Sequence, residues 1–360
     1  MFKSSKYILL LMVIAGCSIG NVDDTRTSTE SEPRVVETIG SSTETLVTNL
    51  TIPWTIAKHE ETFYITERDG RILEIDIESG FVTTQELSVT RDVHHEGEGG
   101  LLGMALALDF ETTHQAYAYY TYFQDNLIQN RVVVLQKEGD QWIETKGILE
   151  GIPGGRIHNG GRMKLGPDGT LFVTTGDSGK SELSQDKNSL AGKILRMNVN
   201  GTIPQGNPFP MSYVYSYGHR NPQGLAWDDE GNLYSTEHGQ NAHDEINLIK
   251  PGSNYGWPTI QGDEEAPDMF KPIFHTGNKT WAPSGIEYKD GQLYIATLRD
   301  SRIRSYDLKT NEVNIIHENS GRMRDVYLEG TNIYAITNNR DGRGNSSADD
   351  DRLVRIKVDY

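Results

Sequence analysis

Asp168-Gly-Thr-Leu-Phe-Val-Thr174 is the stretch that decides how this chain is read. Asp-Gly opens a tight turn, because glycine takes positive φ without steric cost, and the apolar run behind it has strand character. The phrase recurs with variation. Upstream stands Glu61-Thr-Phe-Tyr-Ile-Thr-Glu67. Downstream stand Glu230-Gly-Asn-Leu-Tyr-Ser-Thr236, Asp290-Gly-Gln-Leu-Tyr-Ile-Ala296 and Gly330-Thr-Asn-Ile-Tyr-Ala-Ile336. A further run, Ala116 to Phe123, is β-prone through its aromatics. Successive runs lie about 40–60 residues apart, the spacing of repeat architectures. Little of the intervening sequence has a helical period. With six candidate units over residues 46–360, these signals predict an all-β fold: a six-bladed β-propeller of four-stranded antiparallel blades. Paired β-sandwiches also give short strands, but without a repeated turn-plus-strand phrase.

The chain outside the repeats sets its class. Its 360 residues carry 51 acidic and 34 basic side chains, a net charge of −17. Without a basic block it is a poor nucleic-acid partner, since phosphate neutralisation needs clustered Lys and Arg. Acidic surfaces suit hard cations, calcium among them. The single cysteine, Cys17, excludes an internal disulfide framework and cysteine-based metal clusters. Residues 1–17 place Lys3 and Lys6 before an apolar run, Tyr7 to Ala15, too short for a permanent membrane span. Ile14-Ala15-Gly16-Cys17 resembles the lipobox of bacterial lipoproteins, which implies export and a lipid anchor on Cys17 as the sole membrane attachment. A plain secretory signal with an incidental cysteine also leads to export. Residues 18–45, rich in Ser, Thr and Glu, read as a flexible tether.

A propeller carries its chemistry on loops at one end of its channel. Four loop clusters have suitable residues. His94-His95-Glu96-Gly97-Glu98-Gly99-Gly100 lets backbone approach a ligand closely; its plainer reading is a tight connection. Arg156-Ile157-His158-Asn159-Gly160-Gly161-Arg162 sets a histidine among glycines and arginines, as a general base near an anion requires; a solvated loop histidine is the alternative. Gly218-His219-Arg220-Asn221-Pro222-Gln223-Gly224 groups planar donors, and Asp244-Glu245 downstream offers oxygens for a hard cation or a solvated acidic turn. Leu298-Arg299-Asp300 and Gly321-Arg322-Met323-Arg324-Asp325 close the set. Arg322 and Arg324 on one strand face repel unless an anion separates them; pairing with Asp300 and Asp325 is the bland alternative. P-loop and nucleophile-elbow motifs are absent from the sequence.

Taken in order, these loops resemble the glucose/sorbosone dehydrogenase family, the bacterial aldose sugar dehydrogenases most nearly. The resemblance covers roughly residues 46–358 and also includes Asn254-Tyr-Gly-Trp-Pro258 and Trp281-Ala-Pro-Ser-Gly285. It implies a six-bladed propeller that binds pyrroloquinoline quinone (PQQ) and calcium and oxidises aldoses at C1 to lactones by hydride transfer to the quinone. It implies that His158 is the general base and that Arg220, Asn221, Arg322 and Arg324 hold the quinone. Gly239 and Gln240 fall where carbonyls meet the catalytic calcium. Glu245 and Tyr255, with Asp244 beside them, fall at a structural calcium. Glu98 and Arg299 depart from the family's usual Gln and Lys at quinone contacts, and Ile157 stands where glucose-specific members carry Asp. A carboxylate at Glu98 repels the cofactor's carboxylates unless it is protonated or turned away. The electron acceptor is left open among a quinone pool, a cytochrome or a dye. Two rival readings remain: a non-catalytic binding propeller of the same family, and a calcium-dependent propeller lactonase or esterase.

Overall fold

Each of the six phrases forms the second strand of a set of four. The computed structural model describes residues 41–358. After β1 (Ser41–Val47), the first set is β2 (Pro53–His59), β3 (Thr62–Glu67), β4 (Ile72–Asp76) and β5 (Val82–Ser88). The second is β6 (Leu101–Leu106), β7 (Gln115–Gln124), β8 (Leu127–Glu138) and β9 (Gln141–Pro153). The third is β10 (Met163–Leu165), β11 (Leu171–Thr175), β12 (Lys193–Met197) and β13 (Val214–Tyr217). The fourth is β14 (Pro222–Trp227), β15 (Leu233–Glu237), β16 (Glu245–Ile249) and β17 (Phe274–His275). The fifth is β18 (Pro283–Lys289), β19 (Gln292–Thr297), β20 (Arg302–Asp307) and β21 (Val313–Glu318). The last is β22 (Met323–Glu329), β23 (Asn332–Thr337) and β24 (Leu353–Val358), completed by β1.

Within each set, neighbouring strands run antiparallel in sequence order. The first strands of the sets touch in cyclic order, β2 to β6, β10, β14, β18, β22 and back to β2. Two details differ from the sequence reading. First, the sets do not form six separate sheets: β5 pairs in parallel with β9 through Glu86–Ser88 and Gln141–Ile143, giving one eight-stranded mixed sheet beside four four-stranded ones. The 13-residue β9 thereby covers an outer edge that would otherwise present unpaired backbone groups. Second, β1 begins at Ser41, inside the stretch read as tether, and pairs with β24 from Ser41↔Val358 to Val47↔Leu353. Its Ser42–Thr45 side chains are exposed, so its hydropathy gives no sign of a strand. The signal reading, Cys17 and tether residues 18–40 lie outside the described residues.

Apolar faces of adjacent sheets supply the core. Ile56, Phe63 and Ile65 pack on Tyr334, Ile336 and Leu353, joining the first set to the last. The axis is polar instead. Arg162 donates Nη1 to Asp325 Oδ2 (2.8 Å) and Thr55 Oγ1 (3.1 Å), and Nε to the Gln223 carbonyl (2.8 Å). Its guanidinium lies 4.3 Å from the Trp54 ring centroid. Asp325 Oδ2 also accepts the Ile56 N–H (2.9 Å). One guanidinium thus ties three other sets to its own. Gly285 lets this carboxylate in, because a Cβ there would lie 1.7 Å from Asp325 Oδ1. Burial drives the Asp325 carboxyl upward while Arg162 opposes the shift. Arg162→Met leaves that buried carboxylate unpaired and is expected to cost about 3–5 kcal/mol in urea unfolding. Adding Asp325→Asn should recover much of the loss; equal stability of Arg162→Met and the unmodified chain would remove the pair from this account.

Candidate active site

In each antiparallel pair at the axis, the start of the first strand and the end of the second lie at the same end of the ring. Chain entering β6, β10, β14, β18 and β22 therefore meets chain leaving β3, β11, β15, β19 and β23. Between them lies a cavity of about 890 Å³. Of the residues singled out in the sequence, Glu98, His158, Arg220, Gly239, Gln240, Asp244, Arg299, Arg322 and Arg324 line it. Asn221 sits behind the wall, where its Oδ1 accepts the Gly160 N–H (3.1 Å). Glu245 and Tyr255 are not among the lining residues.

His158 has φ 57°, a left-handed conformation that a non-glycine residue keeps only when its surroundings impose it. Its Nδ1 lies 2.7 Å from Asp177 Oδ1. Asp177 also accepts the Gly179 N–H (2.7 Å) and Trp257 Nε1–H (2.8 Å). Burial acts to raise the Asp177 pKa, but these donors, His158 first, outweigh it and hold the carboxyl below its ordinary range. An ionised Asp177 keeps the proton on Nδ1 and leaves Nε2 as the acceptor. This is the arrangement of a general base with its orienting carboxylate.

The cavity is rich in positive charge. Arg68 and Arg343 join Arg220, Arg299, Arg322 and Arg324 on the lining, against the carboxylates of Glu98 and Asp244. Neither bland pairing for the last arginines occurs: Asp325 binds Arg162, and Asp300 binds Arg302 and Arg304. Arg322 Nη2 instead meets Asp341 (3.0 Å). Arg324 donates to Gln223 Oε1 (2.7 Å) and Asn338 Oδ1 (3.1 Å). Burial, with Arg324 and Arg220 nearby, pulls the His238 pKa down to about 4 despite Asp244 and Glu98. Among the described residues, Arg68 Nε, Arg220 Nε, Arg324 Nε, Asn221 Nδ2 and His238 Nε2 are buried without a hydrogen-bond partner. Such unmade bonds are costly, and four of the five belong to residues that line the cavity, Arg68, Arg220, Arg324 and His238, which suits a ligand bearing polar atoms.

The Asp244 carboxylate is committed to the protein. Oδ1 accepts the Gly239 N–H (2.9 Å), and Oδ2 accepts from Thr280, Trp281 and Ala282 (3.0, 2.6 and 2.8 Å). It shapes the turn that presents the Gly239 and Gln240 backbone. A Cβ on Gly239 would come within 1.9 Å of the Ala242 carbonyl, so only glycine fits. Away from the cavity, Glu245 faces Glu237 across the β15–β16 ladder. Burial and the Glu237 charge push the Glu245 pKa up to about 8. The Tyr255 hydroxyl is occupied: it donates to the Leu248 carbonyl (2.6 Å) and accepts the Lys250 N–H (2.8 Å). Among the described residues, no group of three or more His, Cys, Asp or Glu side chains is placed to hold a metal ion. A cation at the cavity would rely on backbone carbonyls and on its ligand.

The sequence profile of the glucose/sorbosone dehydrogenase family matches residues 50–354. This chain belongs to the glucose/sorbosone dehydrogenase family. Among its relatives in that family, quinoprotein glucose dehydrogenase B of Acinetobacter calcoaceticus is 35% identical over 232 residues, 55% of this chain and 48% of that one. The matched stretch thus spans about half of that relative's length. Aldose sugar dehydrogenase YliI of Escherichia coli is 28% identical over 338 residues, 83% of this chain and 90% of that one. Among solved structures, the PQQ-bound aldose sugar dehydrogenase of Streptomyces coelicolor superposes with a TM-score of 0.83 at 39% identity, covering 91% of this chain and 100% of the other.

Proposed function

We propose that this family member is a six-bladed propeller that oxidises aldoses at C1 to lactones, with PQQ and calcium as cofactors. The fused eight-stranded sheet counts as two blades in this reading, a count supported by the cyclic contacts of the inner strands. The observation that carries the functional reading is the set of partnerless buried polar atoms, the N–H donors of Arg68, Arg220, Arg324 and Asn221 and the ring Nε2 of His238, together with the His158–Asp177 pair.

PQQ is a flat tricarboxylate; when bound, its quinone would accept the hydride from C1, which carries both electrons of the oxidation, and calcium would supply Lewis-acid polarisation. Arg322 and Arg324 would bind its carboxylates, with Arg220, Asn221 and Arg299 around it. The Gly239 and Gln240 carbonyls would hold the catalytic calcium, and Glu245 with the Tyr255 backbone a structural one. A calcium ion held there would relieve the opposition of Glu237 and Glu245 across the ladder. His158 Nε2 takes the proton from the sugar's C1 hydroxyl, and Asp177 stabilises the imidazolium that results. The chain would be exported and anchored through Cys17. Among the described residues no helix is long and apolar enough to cross a membrane.

The test is an aldose panel with a dye acceptor, run with and without PQQ plus calcium. Dye reduction that requires both is expected. Lactone hydrolysis by calcium-loaded, quinone-free protein would favour a propeller hydrolase instead. Absence of both activities in folded, PQQ-loaded protein would favour a binding propeller.

A further inference from the structure

Glu98 poses an electrostatic problem. A carboxylate on the wall of a cavity suited to a polyanion opposes that ligand. The structure places a partner against it from the other end of the chain. Arg343, in the β23–β24 loop, donates Nη1 to Glu98 Oε1 (2.7 Å) across 245 residues of sequence. Its Nη2 lies 3.3 Å from Asp341, whose carboxylate also holds Arg322. The other Glu98 oxygen accepts the backbone N–H of His158 (2.9 Å). Burial acts to raise the Glu98 pKa, but Arg343 and the His158 N–H overcome it and hold it down to about 2. The carboxylate is therefore ionised and turned toward its own partner.

We infer that Glu98 and Arg343 act as one positioning unit: Arg343 cancels the charge that would repel the anionic cofactor, and Glu98 fixes the backbone of His158. The inference rests on the quinone reading of the cavity. It adds that the β23–β24 loop belongs to the site and that Arg343 is dispensable only once the Glu98 charge is gone. Arg343 is the direct ion-pair partner of Glu98, with Arg68 and Arg220 acting at longer range; its removal leaves Glu98 without a paired charge on the ligand's wall. Removing both leaves a neutral amide at position 98 that still accepts the His158 N–H.

The experiment is a PQQ titration with calcium present, followed by tryptophan fluorescence, on the unmodified chain, Arg343→Met, Glu98→Gln and the double variant. Arg343→Met should weaken binding about tenfold, a modest loss because the pair is partly exposed. The double variant should return to within about threefold of the unmodified chain, and Glu98→Gln alone should bind at least as tightly. A double variant as weak as Arg343→Met would overturn the inference, because Arg343 would then contact the quinone directly. Unchanged binding in Arg343→Met would overturn it as well. Amide hydrogen exchange of the apoprotein gives a readout independent of the quinone: Arg343→Met should speed exchange at His158, and unaltered exchange contradicts the positioning role. If the unmodified chain binds no PQQ, the proposed function fails first; exchange still reports on the pair.

Discussion

His158→Ala is expected to lower kcat for aldose oxidation by about 10³-fold while PQQ binding stays within about threefold. In the proposed mechanism the imidazole would supply the proton acceptor, whereas the quinone would be held by arginines on other loops. Glu98 is bonded to the His158 N–H, which alanine retains. Alanine does tolerate φ 57° poorly, so backbone strain could mimic a chemical loss. His158→Asn removes that ambiguity, since asparagine adopts left-handed backbone readily. Both variants should be equally inactive and both should bind PQQ. Activity retained in either would make His158 a structural residue, and parallel loss of turnover and cofactor would do the same.

Asp177→Asn carries the second large effect. The neutral amide cannot stabilise the imidazolium, and its NH₂ group can donate to Nδ1 and leave the proton on Nε2, the wrong tautomer for a base. We expect kcat to fall about 10²–10⁴-fold. Asp177→Asn with kcat within about threefold of the unmodified chain would show that His158 works without its carboxylate.

The ring was legible because one strand in every set announces itself. The turn-plus-strand phrases all fell on second strands, where Gly or a polar turn precedes a fully buried run such as Leu171–Thr175. First strands are harder to see: β10 is three residues long, and the axis they line is polar. The parallel joint between β5 and β9 leaves no trace in composition, since edge pairing is a backbone matter. The site was legible in its entry loops, where histidine, arginine and glycine cluster before β6, β10, β14 and β22. On the exit side Gly239, Gln240, Asp244 and Arg299 were singled out, but three further residues were given no role. Arg68, Asp177 and His238 stand just past the ends of β3, β11 and β15, one to three residues beyond the same phrases that revealed the fold. Antiparallel pairing brings these exits to the entry loops, so the signal was their position after a second strand. Arg343 gave no comparable sign, because its partner Glu98 lies 245 residues away.

The most direct measurement is equilibrium binding of PQQ to the apoprotein in calcium, read through Trp54 on the cavity wall. One quinone per chain should bind saturably, and Arg322→Met with Arg324→Met should abolish that binding while the circular dichroism stays that of the β-fold. Folded protein that shows no saturable uptake, or uptake indifferent to those two arginines, would contradict the account.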